Sequence, residues 1–160
     1  MIIAGIGARV TPMDILQVIE QVGIMLAMQG HKGRSGGAAG ADIAFERGMK
    51  VINPNAVEVF PGHIGHYLSW QRIAALHHPA WDRCDENARK LHARNVAIIL
   101  GASPETHPEP VNAVLCWTEG GAVKGGTGQA LRIAVAHNIP VFNLAVTPIA
   151  SFWEWLNNGR

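Results

Sequence analysis

The sequence predicts an α/β protein: a single Rossmann-like domain, residues 1–160, on a doubly wound parallel sheet of about five strands flanked by helices. Three observations carry that expectation. Short apolar runs of strand length alternate with longer stretches whose apolar residues fall at helical spacing. The 18 glycines cluster at Gly5–Gly7, Gly30–Gly40 and Gly120–Gly128, beside those runs. A composition 48% hydrophobic and 16% charged suffices for one sizeable core and excludes an extended disordered chain.

Taken in order, Ile2-Ile3-Ala4-Gly5-Ile6 reads as a buried strand running into a loop at Gly7-Ala8-Arg9. Thr11-Pro12 supplies an N-cap with proline at the first helical position. Ile15, Val18, Ile19, Val22 and Leu26 continue that helix towards Gln29, with Gly30 as the stop. His31–Arg34 forms a second strand, Ser35–Gly40 a glycine-rich turn and Asp42–Met49 a second helix. Val57–Phe60 is a third strand, ended by Pro61-Gly62. From Gly62 to Trp81 four His, one Tyr and two Trp occur without clear period, as in a functional insertion or an unresolved helix. Asp85–Leu100 is helical, and Ser103–Pro110, with three prolines, is a loop. Asn112–Trp117 is the fourth strand, Glu119–Gly128 a second glycine-rich loop, Gln129–His137 a helix, Ile139–Asn143 the fifth strand and Phe152–Leu156 a closing helix.

Thirteen basic against 12 acidic residues leave a net charge of +1. No global field therefore recruits nucleic acid or an anionic membrane, although a local basic patch is compatible with the count. Cys84 and Cys116 form no CxxC pair, the usage of a reduced, cytoplasmic protein. No basic n-region precedes the first apolar residues, and no apolar run reaches the roughly 18 residues a membrane span needs. No cofactor is implied.

Ligands of doubly wound sheets bind outside the carboxyl ends of the strands, where strand order reverses. With the order 3-2-1-4-5, that crevice lies between the first and fourth strands. The loops after Ile6 and Trp117 flank it, with Ser35–Gly40 alongside. Ser35-Gly36-Gly37-Ala38-Ala39-Gly40-Ala41-Asp42 joins a strand to a helix, so glycine amides and a helix N-terminus make a phosphate the natural guest; the alternative is a tight turn with no ligand. Asp42 either accepts ribose hydroxyls or favours the helix's first turn. Lys124-Gly125-Gly126-Thr127-Gly128 is a second anion loop without a Walker ending. Within Lys90–Asn95, Arg94 pairs with a phosphate or belongs to an exposed basic stripe. Trp117 stacks on a base or joins the core. His63-x-x-His66 and His77-His78 have some ligand flavour, but there is no HExxH and no Cys/His zinc spacing, so no metal site is expected. Ser35 does not sit in a Gly-x-Ser-x-Gly elbow.

At Ser35–Asp42 the chain resembles the SLOG superfamily of Rossmann-like proteins, which includes the DprA proteins, the LOG phosphoribohydrolases and the YspA-like group. The YspA-like turn, Ser-Gly-Gly-Ala-Arg-Gly-Ala-Asp, is especially similar. Lys90–Asn95, Cys116-Trp117-Thr118 and Gly125–Gly128 look like those of phage-encoded DprA-like members, and the resemblance runs from about Ile2 to Leu144. It implies a nucleotide or nucleotide-derived ligand. Phosphate would sit on Ser35, Gly36, Gly37, Ala38 and Gly40 and on Gly125, Gly126, Thr127 and Gly128. Arg9 and Arg94 would neutralise it, with Gly7, Ala8, Asn95, Trp117 and Thr118 around it. LOG enzymes cleave the N-glycosidic bond of nucleoside monophosphates, but Gln129 and Arg132 stand where that family has a Thr and its catalytic Glu. Asp42 or Glu119 would have to supply the acid. DprA relatives imply the alternative, a single-stranded DNA binder using a groove of Lys32, Arg34, Lys90 and Arg94. A third reading is a sensor or sponge that binds a nucleotide signal without turnover. Homo-oligomers are common among the relatives, and Trp153 and Trp155 would serve pairing or close the core.

Overall fold

The computed structural model describes residues 1–159. Its elements run β1 (Ile2–Gly7), α1 (Met13–Met28), β2 (Lys32–Ser35), α2 (Ala41–Ile52), β3 (Val57–Val59), α3 (Leu68–His77), α4 (Glu86–Leu100), β4 (Ala113–Trp117), α5 (Gly125–Ala136), β5 (Val141–Asn143) and α6 (Ile149–Asn158). Short 3-10 turns occupy Gly62–Ile64, Trp81–Arg83 and Glu119–Gly121. The five strands form one parallel sheet in the order β3-β2-β1-β4-β5. Ile3 lies opposite Gly33 on one side and Ala113 on the other, and Gly7 ends level with Trp117.

The sheet is buried on both faces, as the continuous apolar runs of its central strands β1 and β4 require. On one face α1, α2 and α6 pack around Ile3, Ile19, Leu26, Phe45, Leu115 and Phe152. On the other α3, α4 and α5 pack around Ile6, Trp70, Val96, Ile99, Val114 and Ile133. Connections change face between β1 and β4, so the reversal point falls there.

Helices α1 and α2 approach closely through glycines. A Cβ on Gly48 would sit 2.0 Å from the Glu20 carbonyl oxygen, and one on Gly23 would sit 2.7 Å from that of Phe45. Both obstacles are backbone and neither can swing aside. Gly48→Ala is therefore expected to cost at least about 1–3 kcal/mol by overpacking, read as a lower urea midpoint at unchanged slope.

Several elements depart from the sequence reading. Pro12 precedes α1 instead of opening it, and its carbonyl accepts from the Leu16 amide. The segment 62–81 contains a helix, α3. Only Trp70 and Ala74 are buried on it and no side chain caps it, which is why no period was visible. It covers the sheet: Trp70 donates its indole N–H to the Ala102 carbonyl at 3.0 Å and meets Phe60 edge-on. Helix α5 starts at Gly125, four residues before the expected Gln129, so Gly125–Gly128 is a helical first turn and not a loop. Glycine's low helix propensity argued for a loop. Burial of Gln129, Ala130 and Leu131 on the same helix overrides it. Trp153 and Trp155 pack against the monomer's own core, Trp155 with its ring 5.5 Å from that of Phe142.

Candidate functional site

A cleft of about 370 Å³ opens at the carboxyl end of β1, between β1 and the first turn of α5. Ile6, Gly7, Ala8 and Arg9 come from the end of β1. Leu91, Arg94 and Asn95 come from α4, one helical turn apart on one face. Lys124, Gly125, Gly126, Thr127 and Ala130 come from the start of α5, and Ala38 and Asp42 from the turn into α2. Four chain segments separated by dozens of residues thus meet at the reversal point of the sheet, where ligands of such folds collect.

Asp42 ties the loops together. It is 3% exposed. Its Oδ1 accepts the Gly7 amide and its Oδ2 the Gly36 amide, both at 3.0 Å. Burial pushes its pKa up from the ordinary 3.8 to about 6, against the opposing pull of Arg94 and of the Gly36, Gly7 and Ala38 amides. Ser35 is fully buried and spent inside the turn: its hydroxyl donates to Glu46 Oε1 at 2.9 Å and accepts from the Gly37 amide. Gly40 is held at φ +90°, and a Cβ there would lie 2.5 Å from the Ala8 carbonyl oxygen. Only glycine lets the α2 turn sit this close to the end of β1.

Arg94 is 8% exposed, not part of a solvated stripe. Its Nε is buried without a hydrogen-bond partner, and among the described residues no hydrogen bond or ion pair holds the guanidinium. Burial lowers its pKa; Asp42 pulls the other way, and nearby Arg9 adds to the lowering. The guanidinium lies across Gly36, where a Cβ would fall 1.3 Å from Nη1. Gly36 is therefore the floor on which Arg94 rests.

The third wall is the N-terminus of α5. No side chain caps it and no acidic residue occupies its first turn. Its leading amides thus have no intrahelical acceptor and carry the positive end of the helix dipole. Asn95 fixes its position by donating from Nδ2 to the Gly126 carbonyl at 2.8 Å. Gly125 is held at φ +59°, which favours glycine, and a Cβ on Gly126 would meet open space.

Other expected residues lie elsewhere. Trp117 is half-buried against the α1/α6 core. Thr118 is joined to Asn143, its amide donating to Oδ1 and its hydroxyl accepting from Nδ2, which ties the ends of β4 and β5. Glu119 is exposed and outside the cleft lining. Gly128 packs on the Val123 backbone. Gln129 and Arg132 point to α3, donating to the carbonyls of Ala74 and His77. Lys32 and Arg34 line a different cleft, where Arg34 pairs with Glu58 and Glu109, and Lys90 pairs with Glu86. The four cations do not share a groove. Sequence reasoning missed Ile6, Leu91 and Ala130, the apolar wall. The one available signal was that Leu91 precedes Arg94 by a helical turn.

No family model matches the chain, and no curated protein matches it. Among solved structures, DNA processing protein A from Helicobacter pylori, whose structure was described for its single-stranded DNA binding mode, is similar with a TM-score of 0.51 at 16% identity. The match covers 89% of this chain and 64% of that one, and it is a likeness of fold. Among the described residues, no helix is long and apolar enough to cross a membrane.

Proposed function

We propose that the cleft binds a phosphate-bearing small molecule of the nucleotide class. The observation that carries this reading is Arg94, a buried guanidinium in the wall of the cleft whose Nε has no hydrogen-bond partner and whose nearest opposing charge, Asp42, makes no ion pair with it. A buried guanidinium without hydrogen bonds is costly, and a phosphate is the planar fork's natural complement. The uncapped α5 terminus faces the same space and favours the same anion. Ile6, Leu91 and Ala130 supply an apolar wall for a base. The volume falls at the small end of the usual range for ligand sites, roughly 300–1,000 Å³.

Binding without glycosidic cleavage is the form we favour. The one carboxylate in the lining is Asp42, and both its oxygens already accept backbone amides. The test is incubation of the protein with mono-, di- and cyclic nucleotides and ADP-ribose derivatives, with bound and free species read by mass spectrometry. An intact retained ligand is expected. Free base with ribose phosphate would assign Asp42 to chemistry.

A second reading, single-stranded DNA binding, is supported by the fold likeness to the Helicobacter pylori protein. The pairing of Arg34 and Lys90 with acidic partners, and the placement of Lys32 in a different cleft, weigh against it. The two separate by salt. A ligand with one or two phosphates gives a shallow dependence of log affinity on log salt. A strand neutralised by about six phosphate contacts would lose about three hundredfold between 50 and 200 mM.

A further inference from the structure

We infer that His78, Cys84 and His92 form a binding site for a divalent transition metal of the zinc class, separate from the cleft. The three come from the end of α3, the turn at Trp81–Arg83 and the middle of α4, and each offers a ligand atom within 4.8 Å of the others. Cys84 Sγ lies 3.9 Å from Nδ1 and 3.7 Å from Nε2 of His78, and the His78 and His92 rings are 4.4 Å apart. A tetrahedral zinc with its usual bond lengths sets sulfur and nitrogen about 3.6 Å apart, so the Cys84–His78 pair is within a few tenths of an ångström of that span. A separate observation points to a ligand: His92 Nδ1 is buried and has no hydrogen-bond partner. One thiolate and two imidazoles form a borderline-soft donor set, which selects zinc over magnesium or calcium. All three residues are partly exposed, which leaves a path for the ion and a fourth position for water.

Two features shape the binding step. His78 Nδ1 accepts the Ala80 amide at 3.0 Å, so coordination through that nitrogen releases the amide, which is partly exposed and passes to water. The Cys84 thiol gives its proton to solvent as sulfur binds the ion, so affinity rises with pH. Arg132 is the cation close enough to be felt by both histidines, and the thiolate charge offsets it. The guanidinium is already engaged by the His77 carbonyl and Gln129 Oε1. Once bound, the ion would staple α3 to α4. The spacing His78-x5-Cys84-x7-His92 fits no standard zinc signature, which is why the sequence did not disclose it.

The test uses the untagged full chain, stripped with a chelator and titrated with Zn²⁺ or Co²⁺ alone. One equivalent is expected to bind, with a thiolate-to-cobalt charge-transfer band and the visible bands of a tetrahedral ion. The Ala80 amide resonance should move on addition of zinc, and Tm should rise with zinc concentration. Cys84→Ser should abolish the charge-transfer band, and His92→Asn should weaken binding by at least about a hundredfold. Absence of stoichiometric binding in excess metal overturns the assignment. So does a metal retained with unchanged spectrum and affinity in both variants, provided circular dichroism shows them folded.

Discussion

Arg94→Ala is expected to lower the affinity for a nucleoside monophosphate at least tenfold. Hydrogen bonds to a charged group contribute about 1.5–3 kcal/mol, which corresponds to roughly ten- to hundredfold in a binding constant. Lysine at the same position keeps the charge but loses the planar fork, so Arg94→Lys should recover only part of the affinity. The sharper form of the experiment is Gly36→Ala, a change in a residue outside the cleft lining. The new methyl would occupy the space of Arg94 Nη1, 1.3 Å away, and push the guanidinium off its floor. The obstacles are side-chain ends, chiefly the Arg94 guanidinium with Asp42 Oδ2 at 2.9 Å, unlike the backbone that blocks Gly48, so the fold should tolerate the change at a modest cost. Calorimetric titration should show Gly36→Ala approaching Arg94→Ala in lost affinity, with an unfolding midpoint close to that of the parent chain. Undiminished affinity in both variants removes the guanidinium from the site.

The same pair of residues marks where sequence reasoning works and where it stops. The alternation of strands and helices, the position of the crevice and its flanking turns were legible, because apolar period and glycine placement are local signals. Arg94 could be singled out as one of four polar residues crowded into six. Its burial could not be read, because that depends on α4 pressing against the β2–α2 turn with only hydrogen atoms on Gly36 between them. Gly36, read as an anion-binding amide, instead gives its N–H to Asp42 and its vacant side-chain space to Arg94. Trp117 illustrates another limit. Parity along β4 decides which face of the sheet a residue enters, and a strand buried on both faces carries no polar alternation to reveal that parity. The segment 62–81 was opaque because α3 buries only two residues.

Asp42 leads to the second large effect, which appears as a dependence on pH. Its folded pKa of about 6 stands above the unfolded value of 3.8. Its favourable contribution to stability is therefore complete below pH 4 and is lost as pH rises through 6, by about 3 kcal/mol in all. Asp42→Asn keeps the shape and removes the titration. The stability of the parent chain relative to this variant should thus fall by about that amount between pH 4 and 7, measured by urea unfolding. Asp42→Ala goes further at every pH. It strands the buried amides of Gly7 and Gly36 at a cost of about 1–3 kcal/mol each and loosens the turn that carries Arg94. Asp42 acts on a ligand through those neighbours, as a positioning residue, and its charge competes with any anion for Arg94. Sulfate, which does not titrate in this range, isolates that competition. Its affinity should rise as pH falls through 6 in the parent chain and stay flat in Asp42→Asn, because an anion beside Arg94 and a proton on Asp42 favour one another by linkage. A merely structural aspartate would alter stability in the same way and leave the sulfate profile flat in both proteins.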